Sequence, residues 1–170
     1  MSVVIATHNR RDAVRRTSEW ALSQQNVSEV VVIADRCTDG TETTLLELGD
    51  PRIRVYRSPA PGLPCARNLG IEMARHPWVL FIDDDDTYPS DYVEQLLDVA
   101  LLAEADLVAA PFLGIVAEGD LNRRVAELRA QCGQPELDTT SRFPCSDWVE
   151  TPWMCSLHLA RKSALEHVRF

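Results

Sequence analysis

The residues best suited to do chemistry are four consecutive aspartates, Asp83 to Asp86. They follow an unbroken apolar run, Trp78 to Ile82. A short continuous run of this kind predicts a strand buried on both faces, and such strands lie in sheets covered by helices. The acids then fall where the strand leaves the sheet. Open α/β sheets take their ligands outside the carboxyl ends of their strands. Four adjacent carboxylates repel one another unless positive charge sits among them, and a hard divalent cation is the natural partner for oxygen ligands. The pattern therefore predicts a metal and ligand site rather than a solvated acidic turn. Asp91 reads differently, as an acid at the start of the next helix, where the dipole favours it. An EF-hand is excluded. Asp83, Asp85, Thr87, Asp91 and Glu94 fall at loop positions 1, 3, 5, 9 and 12, but position 6 is Tyr88, where the sharp turn requires Gly.

The elements that must position these acids alternate regularly. Ser2 to Ala6 and Val30 to Ala34 are further β-branched runs, ending at Thr7 and Asp35. Between them a helix from about Arg11 places Val14, Ser18, Ala21 and Leu22 on one face. Thr41 to Leu48 predicts a short helix stopped by Gly49. Ile53 to Tyr56 alternates, which suits a strand nearer an edge. A proline-rich loop, Ser58 to Pro64, leads into a helix carrying Arg67 and Asn68, with Pro64 in its first turn. After the aspartates, Ser90 is the expected cap of a helix whose Tyr92, Val93, Leu96, Leu97 and Ala100 share a face. Asp106 to Phe112 predicts a fifth strand, and 120–131 a polar helix. The pattern then weakens, with a last strand expected near Ser156 to Ala160 and a helix from Lys162. This order predicts an α/β fold with a doubly wound, mainly parallel sheet. In a sheet ordered 3-2-1-4, Thr7, Asp35 and Asp83 to Asp86 end side by side at the switch point.

Composition excludes several classes. The chain of 170 residues suits one structural domain, and its net charge of −9 argues against nucleic acid as a partner. Five cysteines, with no pair at C-x-x-C spacing, suggest neither a zinc site nor a disulfide framework. A reducing, cytoplasmic location is expected, including the periphery of the membrane. No stretch reaches the ~20 apolar residues of a transmembrane helix. There is no P-loop and no dinucleotide fingerprint. Asp35 is suited to a ribose hydroxyl or a base N–H, and metal-bound acids after the fourth strand to a diphosphate. Together they outline a nucleoside diphosphate across the sheet edge.

Four motifs occur in order: Val3-Val-Ile-Ala-Thr7-x-Asn9-Arg10, Asp35-x-x-Thr38-Asp39-Gly40-Thr41, Ala66-Arg67-Asn68-x-Gly70 and Phe81-Ile82-Asp83-x-Asp85-Asp86. As a set they resemble the inverting family 2 glycosyltransferases of the GT-A, Rossmann-like fold. The resemblance is detailed over about 2–102. It implies a nucleotide-diphospho-sugar donor, UDP-type favoured, a divalent metal (Mg²⁺ or Mn²⁺), and sugar transfer with inversion to an unknown acceptor. It implies that Thr7 and Asp35 contact the base, that Asp85 approaches the ribose, and that Arg67 lies near the nucleotide. Asp86, with Asp83 beside it, would hold the cation. Three positions depart from the family. Ala34 precedes Asp35 where a second acid is common. Arg36 stands where Gly is usual, and His8 where Tyr is usual.

Inverting transfer needs a carboxylate to take the acceptor proton. The family's acidic pair follows a strand and helix resembling 156–168, where this chain stops. Asp147-Trp148 imitates that pair but precedes the strand, so Asp147 is the one candidate base. Residues 1–115 are thus expected to form the donor half, and 116–170 the start of an acceptor-side region that is incomplete. Such a chain should bind donor and transfer sugar slowly. The rival reading is a non-catalytic nucleotide-sugar or metal-binding module, separable by turnover. A phosphorylation-controlled receiver domain ranks far behind, because it needs a lysine close to the acids and the single lysine is Lys162, in the weakly patterned tail.

Overall fold

The apolar runs become strands for the reason the sequence suggests: β-branched residues at χ1-restricted positions pack well on a pleated surface. In the computed structural model, which describes residues 1–109, 158–165 and 170, the order is β1 (Ser2–Thr7), α1 (Arg11–Ser23), β2 (Glu29–Ala34), α2 (Thr41–Leu46), β3 (Ile53–Arg57), α3 (Leu63–Met73), β4 (Trp78–Asp83), α4 (Tyr92–Leu102), β5 (Leu107–Ala109) and β6 (His158–Arg161). A short helix, Lys162–Leu165, follows. The strands form one six-stranded sheet ordered β3-β2-β1-β4-β6-β5. The first four run parallel, as expected for a doubly wound fold, and β6 is antiparallel to both β4 and β5.

The period of two divides the core. Val3, Ile5, Val30, Val32, Leu80 and Ile82 face α1 and α4, meeting Val14, Ala21, Val93, Leu96 and Ala100. Val4, Val31, Ile33, Val79 and Phe81 face α3, meeting Ala66, Ile71 and Ala74. Full burial of such a side chain contributes roughly 1.5–3 kcal/mol. Burial on both faces holds the central strands in one register. That register places Thr7 opposite Ala34, and Ala6 opposite Asp83.

Some expectations are refined. The N-cap of α4 is Asp91 rather than Ser90, and it makes no side-chain cap hydrogen bond. Helix α2 stops at Leu46, and the chain turns through Gly49 at φ +67°. The last strand is described over His158–Arg161, one residue beyond the expected end, and residues 156 and 157 lie outside the described residues. The expected polar helix at 120–131 lies outside the described residues.

Helix α3 crosses β1 at Gly70. A Cβ built there would sit 2.3 Å from Val4 Cγ1, and Val4 is fully buried. Gly70→Ala should therefore destabilise the protein. Overpacking typically costs about 1–3 kcal/mol, against about 1 kcal/mol gained in helix propensity. Urea denaturation measures the difference; an unchanged or raised midpoint would show that the two elements can separate freely.

At the opposite, N-terminal edge of the sheet, Glu29 is buried and tied on several sides. It accepts hydrogen bonds from Ser2 Oγ (2.6 Å), the Arg75 backbone N–H (2.5 Å) and Arg54 Nη1 (2.8 Å), and His76 Nδ1 lies 3.3 Å away. Burial alone would raise its pKa. The donors from Ser2, Arg75, Arg54 and His76 outweigh burial and hold it down at about 2, against 4.5 unperturbed. A depressed carboxyl stabilises the fold fully above its unfolded value, and that stability is lost as pH falls through the folded one. Glu29→Gln should thus cost about 1.5–3 kcal/mol at neutral pH. It should also flatten the acid limb between about pH 4.5 and 2. Denaturant melts across pH measure both effects; a parallel acid limb in the variant would exclude Glu29 as its source.

Candidate active site

The carboxyl ends of β1, β2 and β4 are neighbours in the sheet, so their outgoing loops converge. Two left-handed residues turn these loops back: Asn9 at φ +52° after β1, and Arg36 at φ +50° after β2. The conformation explains why Gly suits position 36, since an L side chain there is strained. The loops are sewn together by polar contacts. Asn9 Oδ1 accepts from the Thr38 backbone N–H at 2.8 Å, and His8 Nδ1 lies 2.5 Å from the Asp35 carbonyl oxygen. Asp39 accepts from the Arg11 backbone N–H (2.9 Å) and from Thr41 Oγ1 (2.5 Å). It therefore joins the first turns of α1 and α2.

The four aspartates have four different surroundings. Asp84 is buried and turned inward, accepting from the Thr7 hydroxyl (2.6 Å) and Arg10 Nη1 (2.8 Å). Its backbone carbonyl accepts from the Thr17 hydroxyl at 2.9 Å. Asp83 pairs with Arg67 Nη2 at 3.3 Å. Asp85 is exposed and takes Arg10 Nη1 at 2.7 Å. Asp86 has no counter-ion among the described residues. Burial, then the charges of Asp83, Asp85 and Asp84, raise its pKa above the usual carboxylate value. The loop is closed by Tyr88, whose hydroxyl accepts from the Asp83 backbone N–H (2.9 Å) and donates to the Asp83 carbonyl oxygen (3.2 Å). Its ring packs against Trp20 and Tyr92.

Asp35 stands at the neighbouring strand end. Its Oδ2 accepts from the Gly62 backbone N–H at 2.8 Å, which fixes it to the proline-rich loop. Its Oδ1 is buried and has no hydrogen-bond donor among the described residues. Arg36 Nε lies 3.5 Å from that oxygen, within ion-pair range but without a hydrogen bond. Arg67 is buried, with its guanidinium 5.5 Å from the Phe170 ring centroid, and is not the surface charge its helical position allows. The Thr7 hydroxyl proton is committed to Asp84, which leaves the Thr7 side chain facing the loop. Asp147 lies outside the described residues.

The residue that sequence reasoning missed is Arg10. It entered only as the last residue of the first motif and was given no role. Nothing in its spacing shows that it meets residues 74 and 75 positions away.

Residues 2–169 match the family described as "Glycosyl transferase family 2". The chain belongs to that family. This family 2 chain is 35% identical over 111 residues to the succinoglycan biosynthesis protein ExoO of Rhizobium meliloti, covering 63% of this chain and 31% of that protein. Its fold matches Staphylococcus aureus TarS 1-349 in complex with UDP-GlcNAc, with TM-score 0.66 at 18% identity, over 96% of this chain and 46% of that one. It also matches glucosyl-3-phosphoglycerate synthase of Mycobacterium tuberculosis in complex with Mn²⁺, UDP-glucose and phosphoglyceric acid, with TM-score 0.64 at 22% identity, over 96% and 57% of the two chains. The chain thus spans from about a third to just over half of the length of these relatives.

Among the described residues, no three His, Cys, Asp or Glu side chains converge into a cation cage. A cation held by one or two carboxylates and completed by phosphate oxygens and water needs no such cage. Asp85 and Asp86 suit that mode, since one is exposed and the other lacks a partner. Because folding opposes the charge on Asp86, Asp86→Asn should raise the thermal midpoint of the family 2 chain in chelator at neutral pH. Calorimetry with Mn²⁺ and UDP should show weaker cation binding in the same variant. A lowered midpoint in chelator would mean that Asp86 is satisfied after all.

Proposed function

We propose that this chain is the donor-binding part of a glycosyltransferase that takes a nucleoside-diphospho-sugar with a divalent cation and transfers the sugar with inversion. The observation that carries the reading is Asp35 Oδ1, a buried carboxylate oxygen at the sheet's ligand edge with no hydrogen-bond donor among the described residues. An unfilled buried acceptor costs free energy unless a ligand completes it. The N–H of a uracil ring, flanked by two carbonyls, is such a donor. The UDP sugars bound by the two structural neighbours favour the same base.

Each residue then has a part. Asp35 reads the base, and Arg36 and Thr7 border it. Asp85 lies toward the ribose, and Arg67 stabilises the loop from below through Asp83. Asp86 is the principal cation ligand, with Asp83 nearby, and Mg²⁺ or Mn²⁺ held there supplies charge neutralisation for a leaving diphosphate. The acceptor hydroxyl attacks the anomeric carbon from the face opposite the diphosphate and loses its proton to a carboxylate base. Asp147 is the candidate for that base. Residues 1–115 serve the donor, and 116–170 belong to the acceptor side.

Asp35→Asn is the sharpest test. Its amide oxygen can keep the Gly62 bond, but its NH₂ then meets the base N–H donor to donor. UDP affinity should fall by about 1.5–3 kcal/mol, the scale of a hydrogen bond to a charged group. Inorganic diphosphate with Mn²⁺ should bind as before. Calorimetry with both ligands measures this, and equal UDP affinity in the variant would move the base elsewhere.

A further inference from the structure

The two arginines that neutralise the aspartate loop differ in what they can release. Arg67 is buried against Phe170, so its charge is confined to Asp83. Arg10 lies at the surface: its side chain and that of Asp85 are each 53% exposed. One nitrogen, Nη1, serves two carboxylates, Asp84 at 2.8 Å and Asp85 at 2.7 Å. Asp84 has a second, buried donor in Thr7. Asp85 has no partner other than Arg10 among the described residues. A divalent cation on Asp85 competes with the guanidinium for that carboxylate, because the two positive charges repel and each weakens the other's hold. Arg10 also has somewhere to go. It lines an open cavity of about 380 Å³ together with Asn9, Arg11, Asp12, Arg16 and Asp39, where water would solvate it, since Asp12 is already held by Arg11 and Asp39 by Arg11 and Thr41.

We propose that Arg10 is the resting counter-ion of this loop: it holds Asp85 while the site is empty, and turns into the adjacent cavity when the nucleoside diphosphate and its cation bind against Asp85 and Asp86. This rests on the donor-and-cation reading above. Arg10 is then a positioning residue that acts through Asp85. It keeps an acidic loop ordered in the empty protein and sets a threshold that a cation arriving without a diphosphate does not easily overcome. The exchange is cheap because the pair that breaks is exposed and solvent-screened.

Arg10→Gln removes the charge while leaving a donor for Asp84. Calorimetry with Mn²⁺ on the UDP-saturated chain should show the variant binding the cation about threefold more tightly, the scale of an exposed ion pair. In chelator its thermal midpoint should lie below that of the wild type. That gap should narrow when Mg²⁺ and UDP are added, because the wild type loses the pair on binding. A merely structural Arg10 would keep the gap constant. Unchanged Mn²⁺ affinity overturns the proposal. Weaker affinity also overturns it, and makes Arg10 a direct contact of the diphosphate. Should the variant fail to fold, the wild-type Arg10 guanidinium ¹⁵N resonance decides: a shift on adding Mg²⁺ and UDP supports release, and an unmoved resonance excludes it. A wild-type chain that binds neither UDP nor Mn²⁺ overturns the donor reading and this one with it. UDP and Mn²⁺ binding with Arg10 unmoved overturns this one alone.

Discussion

Everything at the ligand edge depends on keeping four consecutive carboxylates from destabilising the turn that carries them. At close range in a partly buried site, each like-charge pair costs several times what it would in water. The protein uses three devices. Asp84 is turned inward to the hydroxyl of Thr7, so its charge is delivered to a buried donor. Arg10 and Arg67 bring two positive charges from α1's entry and from α3. Tyr88 clasps the backbone at Asp83. What remains is Asp86, with its pKa raised first by burial and then by its neighbours. The unbalanced charge is the size that one divalent cation offsets.

Glu29 shows what the same chemistry looks like when nothing is left over. It too is a buried carboxylate at an end of the sheet. There, Ser2, Arg54, the Arg75 backbone and His76 surround it, and its pKa falls to about 2. Asp86 and Glu29 thus occupy opposite edges of one sheet with opposite shifts. Carboxylates with every acceptor filled hold a structure together, whereas one whose charge is disfavoured and uncompensated marks a place for a ligand. Asp35 offers a ligand something different: one oxygen is anchored by Gly62 and the other is buried without a hydrogen-bond donor among the described residues.

Both edges rely on the same scaffold. Parallel register aligns the ends of β1, β2 and β4, and burial on both faces prevents a slip that would move Thr7 or Asp83 out of line. The close crossing of α3 over Val4 at Gly70 brings Arg67, three residues earlier, against Asp83 from beneath the loop. A bulkier residue at Gly70 would push away the element that carries the loop's buried counter-ion.

The sequence by itself determined the parallel β3-β2-β1-β4 order, the strand ends that carry Thr7, Asp35 and Asp83, and the kinship of the chain. Apolar runs and turn residues are local signals, and a parallel crossover has essentially one hand, so few topologies fit. It also located the helix entry near Asp91, although the cap fell one residue from Ser90. Only the tertiary structure decided which aspartate is structural and which is free, because that depends on donors far away in the chain. Asp84 differs from Asp86 through Thr7 and Arg10, residues on β1 and just beyond it. The antiparallel direction of β6 was equally hidden, since a four-residue strand carries no mark of its partner's direction. The reason is the same in each case. Pattern and propensity are read over neighbours in sequence, whereas charge balance and strand direction are settled between segments that meet only once the sheet has formed.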